Sequence, residues 1–143
     1  MTIRVLVADD QAMIRGALAG LLDLERDIEV VAQAADGVQA LEELGRLAES
    51  SGPTRANAPA DVAIIDIEMP RMDGITATQA IRSRFPGVRV LIVTTFGRPG
   101  YLQRALGAGA TGFMVKDAPV ETLADGVRTV AAGGRAIDQS LAL

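Results

Sequence analysis

The chain of 143 residues contains no cysteine and no histidine. Without cysteine, neither a disulfide framework nor thiolate ligation of a metal is available. Without histidine, the commonest general base and the commonest zinc ligand are both missing, which excludes a Ser-His-Asp or Cys-His nucleophile. Lysine is nearly absent too: the basic residues are thirteen Arg and the single Lys116. There is no positive excess, since the net charge is −4, which argues against direct nucleic-acid binding by this segment. No apolar run approaches the ~20 residues that span a bilayer. The chain opens into a strand-like stretch with no signal-peptide pattern, so we expect a cytoplasmic location and no membrane contact.

What remains is ordinary for a globular domain, with 49% apolar and 22% charged residues. The length suits one domain with a substantial core. The pattern is centred on Asp61-Val62-Ala63-Ile64-Ile65-Asp66, whose four apolar residues read as a short strand buried on both faces. Asp66 closes that strand, and the Pro70 and Asp73-Gly74 that follow shape a loop and open a helix. Other strands are predicted at Ile3 to Ala8, Ile28 to Ala34, Val88 to Val93 and Thr111 to Val115. Helices are predicted from about Gln11 to Asp23, with Ile14, Leu18, Leu21 and Leu22 at helical spacing, and after Asp36, with Val38, Leu41, Leu44 and Ala48 inward. Further helices run from about Asp73 to Arg84, from about Pro99 to Gly107, and from Pro119 to Gly133 with Val120, Leu123, Val127 and Val130 inward. Ser50 to Ala60 shows no period and reads as an exposed loop. Five strands alternating with five helices predict an α/β fold, an open parallel sheet covered on both faces.

The chemistry gathers at the strand ends. The first strand ends in Asp9-Asp10, the third in Asp66, the fourth in Thr94 and the fifth in Lys116. In a parallel sheet these ends share one edge, and ligands sit where the strand order reverses. Three neighbouring carboxylates repel, and a hard divalent cation relieves the repulsion. With only oxygen ligands on offer, Mg²⁺ or Mn²⁺ suits the site. Asp66 is then a candidate nucleophile, with Thr94 and Lys116 as donors to phosphoryl oxygens. Each residue also has a plainer reading: Asp9-Asp10 as a helix cap, Thr94 as a strand former, Lys116 as a solvated cation, Phe113 as core. Their joint placement at strand termini favours the site.

Asp9-Asp10, the run from Asp66 to Gly74 (DIEMPRMDG), Thr94 and Lys116 resemble the receiver domain of two-component response regulators. Thr94-Thr95-Phe96, Tyr101 to Asp117 and Gly133 to Asp138 resemble the NarL/FixJ type, whose receivers precede a helix-turn-helix domain. The resemblance implies a flavodoxin-like (βα)5 doubly wound five-stranded sheet of order 2-1-3-4-5. It implies that Asp66 accepts a phosphoryl group from a sensor histidine kinase, so that the domain is a phosphoacceptor rather than an enzyme in the ordinary sense. Asp10 would bind Mg²⁺ (or Mn²⁺) directly, Asp9 mainly through water, and the Glu68 backbone carbonyl would complete the protein's share. Thr94 and Lys116 would contact the phosphoryl group, and Phe113 occupies the aromatic switch position. A homodimer on phosphorylation and control of an attached C-terminal helix-turn-helix domain, which is not in this chain, are further implications. We expect residues 1–133 to form the receiver and 134–143 to begin a linker.

Two departures stand out: Ser50 to Ala60 is longer than in most relatives, on the face opposite the acids, and no DNA-binding domain follows. A Mg²⁺-dependent phosphohydrolase would ordinarily place a second Asp where Glu68 stands. A flavodoxin-like cofactor module would need a phosphate-cradling loop where Asp9-Asp10 stand. An unphosphorylated pseudo-receiver, acting only as an interaction module, is opposed by the full set of Asp, Thr and Lys residues.

Overall fold

The computed structural model describes residues 2–52, 57–95 and 100–138. Its elements follow in the order β1 (Ile3–Ala8), α1 (Ala12–Asp23), β2 (Ile28–Ala34), α2 (Gly37–Ser51), β3 (Val62–Asp66), α3 (Gly74–Arg84), β4 (Arg89–Thr94), α4 (Tyr101–Ala108), β5 (Gly112–Val115), α5 (Val120–Ala131) and β6 (Ala136–Ile137). The strands form a single sheet ordered β2-β1-β3-β4-β5-β6. All its pairings are parallel. The expected α/β architecture is therefore present, with one strand more than the five predicted.

The period of two along each strand divides the core between the two faces. Leu6, Ala63, Ile65, Val90, Ile92 and Phe113 face Leu41, Leu44, Ile81 and Ala105 of α2, α3 and α4. Val5, Val7, Val62, Ile64, Leu91, Val93 and Met114 face Leu22, Leu123, Val127 and Val130 of α1 and α5. β3 lies between β1 and β4, and all five of its residues are buried. That location accounts for its unbroken apolar run. The chain leaves β1 toward β2 on one side and returns to β3 on the other, so the reversal point lies between the ends of β1 and β3.

The structure refines the sequence reading at four places. Gly133 turns the chain at φ 94. Residues 136 and 137 then pair with β5 instead of leaving the domain, with Ala136 N–H donating to Thr111 O at 3.0 Å and Asp138 N–H to Phe113 O at 2.9 Å. The first residues of the expected linker thus belong to the sheet, while 139–143 lie outside the described residues. α1 buries only Ala19 and Leu22, leaving Met13, Ile14 and Leu21 exposed, as is Leu24 just beyond its end. Its apolar stripe is wider than the surface the sheet and α5 cover. In α2, Asp36 does cap the helix, accepting from Gln39 N–H, but Ala40 and Leu47 are buried along with Leu41 and Leu44. Finally, the end of the Ser50 to Ala60 stretch is packed rather than exposed: Ala60 is fully buried and Gly87 N–H donates to Asn57 O at 2.9 Å. Residues 53–56 of that stretch, and Phe96 and Pro99 before α4, lie outside the described residues.

Candidate functional site

β1 delivers its acids by running straight into them. Asp9 N–H still bonds Ala34 O of β2 at 3.0 Å, as the last rung of the ladder. The Asp9 carboxylate then accepts from Gln11 N–H at 2.9 Å, while its carbonyl accepts from the Arg15 guanidinium at 2.7 Å. These bonds bury Asp9 and turn the chain so that Asp10 faces solvent. β3 contributes Asp66, paired in register with Val93 of β4 and 4% exposed.

Asp9, Asp10 and Asp66 converge: one carboxylate oxygen of each lies within 4.8 Å of the others. Lys116, just beyond β5, brings its Nζ to 2.7 Å from Asp9 Oδ2 and 3.3 Å from Asp66 Oδ2. Its backbone N–H bonds Thr94 O at 2.9 Å, which ties the ends of β4 and β5 together. Asp10, Asp66, Glu68, Thr94 and Lys116 line one polar cavity of about 190 Å³. Six of the seven candidate residues are thereby brought together. Phe113 is not among them: it is wholly buried in the core on the α2–α4 side, in register with Ile92.

Burial pushes the Asp66 carboxyl up to about 6, and the Asp9 charge adds to this while Lys116 opposes it. The Lys116 ammonium is depressed by its own burial, but the Asp9 and Asp66 carboxylates more than offset that and raise it. Three ionised carboxylates against one ammonium leave two negative charges in excess. Asp9 Oδ2 is buried and faces the Lys116 ammonium in an ion pair. An oxygen-only donor set with this excess fits a hard divalent cation of the size of Mg²⁺ or Mn²⁺.

Sequence reasoning missed the supports of the site. Tyr101 O–H at the start of α4 donates to Glu68 Oε1 at 3.1 Å, and Arg71 Nε donates to Asp36 Oδ2 at 2.8 Å. Both pairs join residues more than thirty positions apart, and no local pattern signals such contacts.

A family model described as the response regulator receiver domain matches residues 5–128. The transcriptional regulatory protein DesR of Bacillus subtilis (strain 168) is 41% identical over 133 residues, covering 93% of this chain and 60% of DesR. The transcriptional regulatory protein YvfU of the same strain is 40% identical over 139 residues, covering 97% of this chain and 64% of YvfU. The chain thus spans about three-fifths of the length of these relatives. Among solved structures, the signal receiver domain of the response regulator NarL from Mycobacterium tuberculosis superposes with a TM-score of 0.80 at 32% identity, covering 92% of this chain and 98% of that one.

Proposed function

Because the chain belongs to the response regulator receiver domain family, we propose that Asp66 is its phosphoacceptor and that a sensor histidine kinase is the donor. The observation that carries this reading is the Asp66 carboxylate lying 3.3 Å from the Lys116 ammonium, beside Asp9 and Asp10.

In the transfer, an Asp66 carboxylate oxygen attacks the phosphorus of a phosphohistidine. The P–N bond breaks, and the imidazole leaves with the electron pair and takes up a proton. A divalent cation, Mg²⁺ or Mn²⁺, when held by Asp9, Asp10, Asp66 and the Glu68 carbonyl, supplies neutralisation of the phosphoryl charge. Lys116 supplies a compact ammonium for a phosphoryl oxygen, and the Thr94 hydroxyl donates to another. In this reading the domain is a phosphoacceptor, which also takes the group from a small phosphodonor such as acetyl phosphate and slowly loses it to water.

A phosphoryl group adds about −1.5 to −2 charge and three strong acceptors. It favours whichever arrangement of the loops after β4 and β5 brings Thr94 and Lys116 closest, and shifts the domain only by that difference in affinity. Phe113, inward and paired with Ile92 two residues before Thr94 on β4, is the core residue through which that change reaches α4 and β5. We further propose a homodimer on phosphorylation, control of a C-terminal helix-turn-helix domain in the full-length protein, and action in the cytoplasm. The test is intact-mass measurement after incubation with acetyl phosphate and Mg²⁺. The wild-type domain should gain one phosphoryl group and Asp66→Ala none; equal labelling of the two would refute the assignment. Sedimentation of the labelled domain tests the dimer.

A further inference from the structure

We propose that Arg71 is a positioning residue: by gripping Asp36, it fixes the loop between β3 and α3 in the form that presents Asp66 and the Glu68 carbonyl to the cation. This rests on the reading above that a cation binds among Asp9, Asp10, Asp66 and Glu68.

Arg71 sits at φ 64, and among the described residues no other non-glycine residue has a positive φ. A side chain with a Cβ avoids this region, so something outside the residue must hold it there. The holder is Asp36, whose Oδ2 accepts from Arg71 Nε at 2.8 Å. The Asp36 side chain is 7% exposed while that of Arg71 is 56% exposed, so the guanidinium reaches inward to a buried post. That contact holds the Asp36 carboxyl below the usual carboxylate range.

Asp36 cannot drift with the loop. Its other oxygen caps α2 through Gln39 N–H at 2.9 Å, and Gln39 Oε1 accepts in turn from Ala35 N–H at 2.8 Å. The neighbouring Gly37 packs so closely that a Cβ there would lie 2.9 Å from Met72 Cγ. The loop's two ends are also anchored, with Ile67 N–H donating to Val93 O at 3.1 Å and Gly74 N–H to Ile67 O at 2.9 Å. In the stretch that faces the acids, Glu68 N–H approaches Asp66 Oδ1 at 3.4 Å and the Glu68 side chain accepts from Tyr101 O–H at 3.1 Å. The anchor three residues on adds a tie from this loop to the buried start of α2. Partners that orient metal ligands from outside the coordination shell commonly change metal affinity when removed.

Arg71→Gly removes the grip without adding backbone strain, because glycine accepts the left-handed region, and Arg71→Lys, which keeps a Cβ and a cation, controls for the added freedom of glycine. Asp36→Asn keeps an oxygen for the α2 cap and removes the charge. Arg71→Lys keeps a cation that can reach Asp36. Mn²⁺ affinity is read by electron paramagnetic resonance of the free ion, and amide hydrogen exchange of residues 67–74 is read in metal-free protein. We expect Arg71→Gly and Asp36→Asn to weaken Mn²⁺ binding about tenfold and to speed exchange across the loop, with Arg71→Lys recovering part of both. Wild-type Mn²⁺ affinity in Arg71→Gly would overturn the inference, whatever its melting temperature. If the wild-type domain itself binds no Mn²⁺ and Asp66 takes no phosphoryl group, the reading beneath falls as well. If the wild type does both and only the Arg71 variant is indistinguishable from it, the inference alone falls.

Discussion

The Lys116 ammonium lies closer to Asp9 than to Asp66, at 2.7 Å against 3.3 Å. The cation thus rests mainly on a carboxylate proposed to bind metal and leans toward the proposed acceptor. Removing it leaves buried carboxylates facing one another. Lys116→Ala should therefore destabilise the metal-free domain by about 1–3 kcal/mol. Mg²⁺ should raise the melting temperature of the variant more than that of the wild type, because the metal then supplies all the neutralisation. Labelling by acetyl phosphate should fall at least tenfold. Thermal melts with and without Mg²⁺ check the first two points; an equal Mg²⁺ effect in both proteins would count against a shared charge balance.

The raised Asp66 carboxyl makes a statement about stability and pH. Its ordinary value is 3.8 and in the folded chain it is about 6. The folded state therefore holds this proton more tightly than the unfolded one. The resulting stabilisation is complete below the ordinary value and disappears as pH rises through about 6. In chelator-treated protein, Asp66→Asn should thus gain on the wild type between pH 4 and pH 7, by about 1–3 kcal/mol. Urea denaturation of both proteins at the two pH values measures the gap. A gap that does not widen with pH would mean that Asp66 is not strained in its ionised form.

The acid site was legible because strand termini are. Asp9, Asp66, Thr94 and Lys116 each end an apolar run, and a parallel sheet places all such ends on one edge. The switch point followed from the resemblance, and the β1–β3 pairing bears it out. Other features left no local trace. Ala136 and Ile137 are too few to show a period of two, so β6 is visible only through its bonds to β5. The stripe on α1 gave the helix but not its covered side, since periodicity records side chains and burial depends on neighbours. The Asp36–Arg71 and Tyr101–Glu68 contacts are tertiary, and a sequence reveals them only after the fold is known.

Gly74 shows where local propensity and packing oppose each other. It begins α3, where alanine would ordinarily help by about 1 kcal/mol. A Cβ there would lie 2.3 Å from Asp66 O and 2.8 Å from Ile67 Cα. Both are backbone atoms that cannot move without shifting the end of the strand that carries Asp66. Gly74→Ala should therefore destabilise by about 2–3 kcal/mol and slow phosphoryl acceptance as Asp66 is displaced. A denaturation midpoint equal to or above that of the wild type would show that propensity had won.

Phe113 separates stability from chemistry. It is fully buried among the residues between the sheet and α2, α3 and α4, and it does not line the acid cavity. Truncation to alanine leaves a cavity that a closely packed interior fills only in part. Phe113→Ala should cost about 3–5 kcal/mol, and Phe113→Leu distinctly less. At a temperature where Phe113→Leu remains folded, its initial rate of labelling by acetyl phosphate should match the wild type, because the ring does not line the acid cavity. The phosphorylation-dependent change in sedimentation should weaken in the same variant, since a smaller side chain transmits less of the rearrangement at Thr94. Loss of labelling together with intact fold would place Phe113 in the chemistry itself, and an unchanged sedimentation response would remove it from the switch.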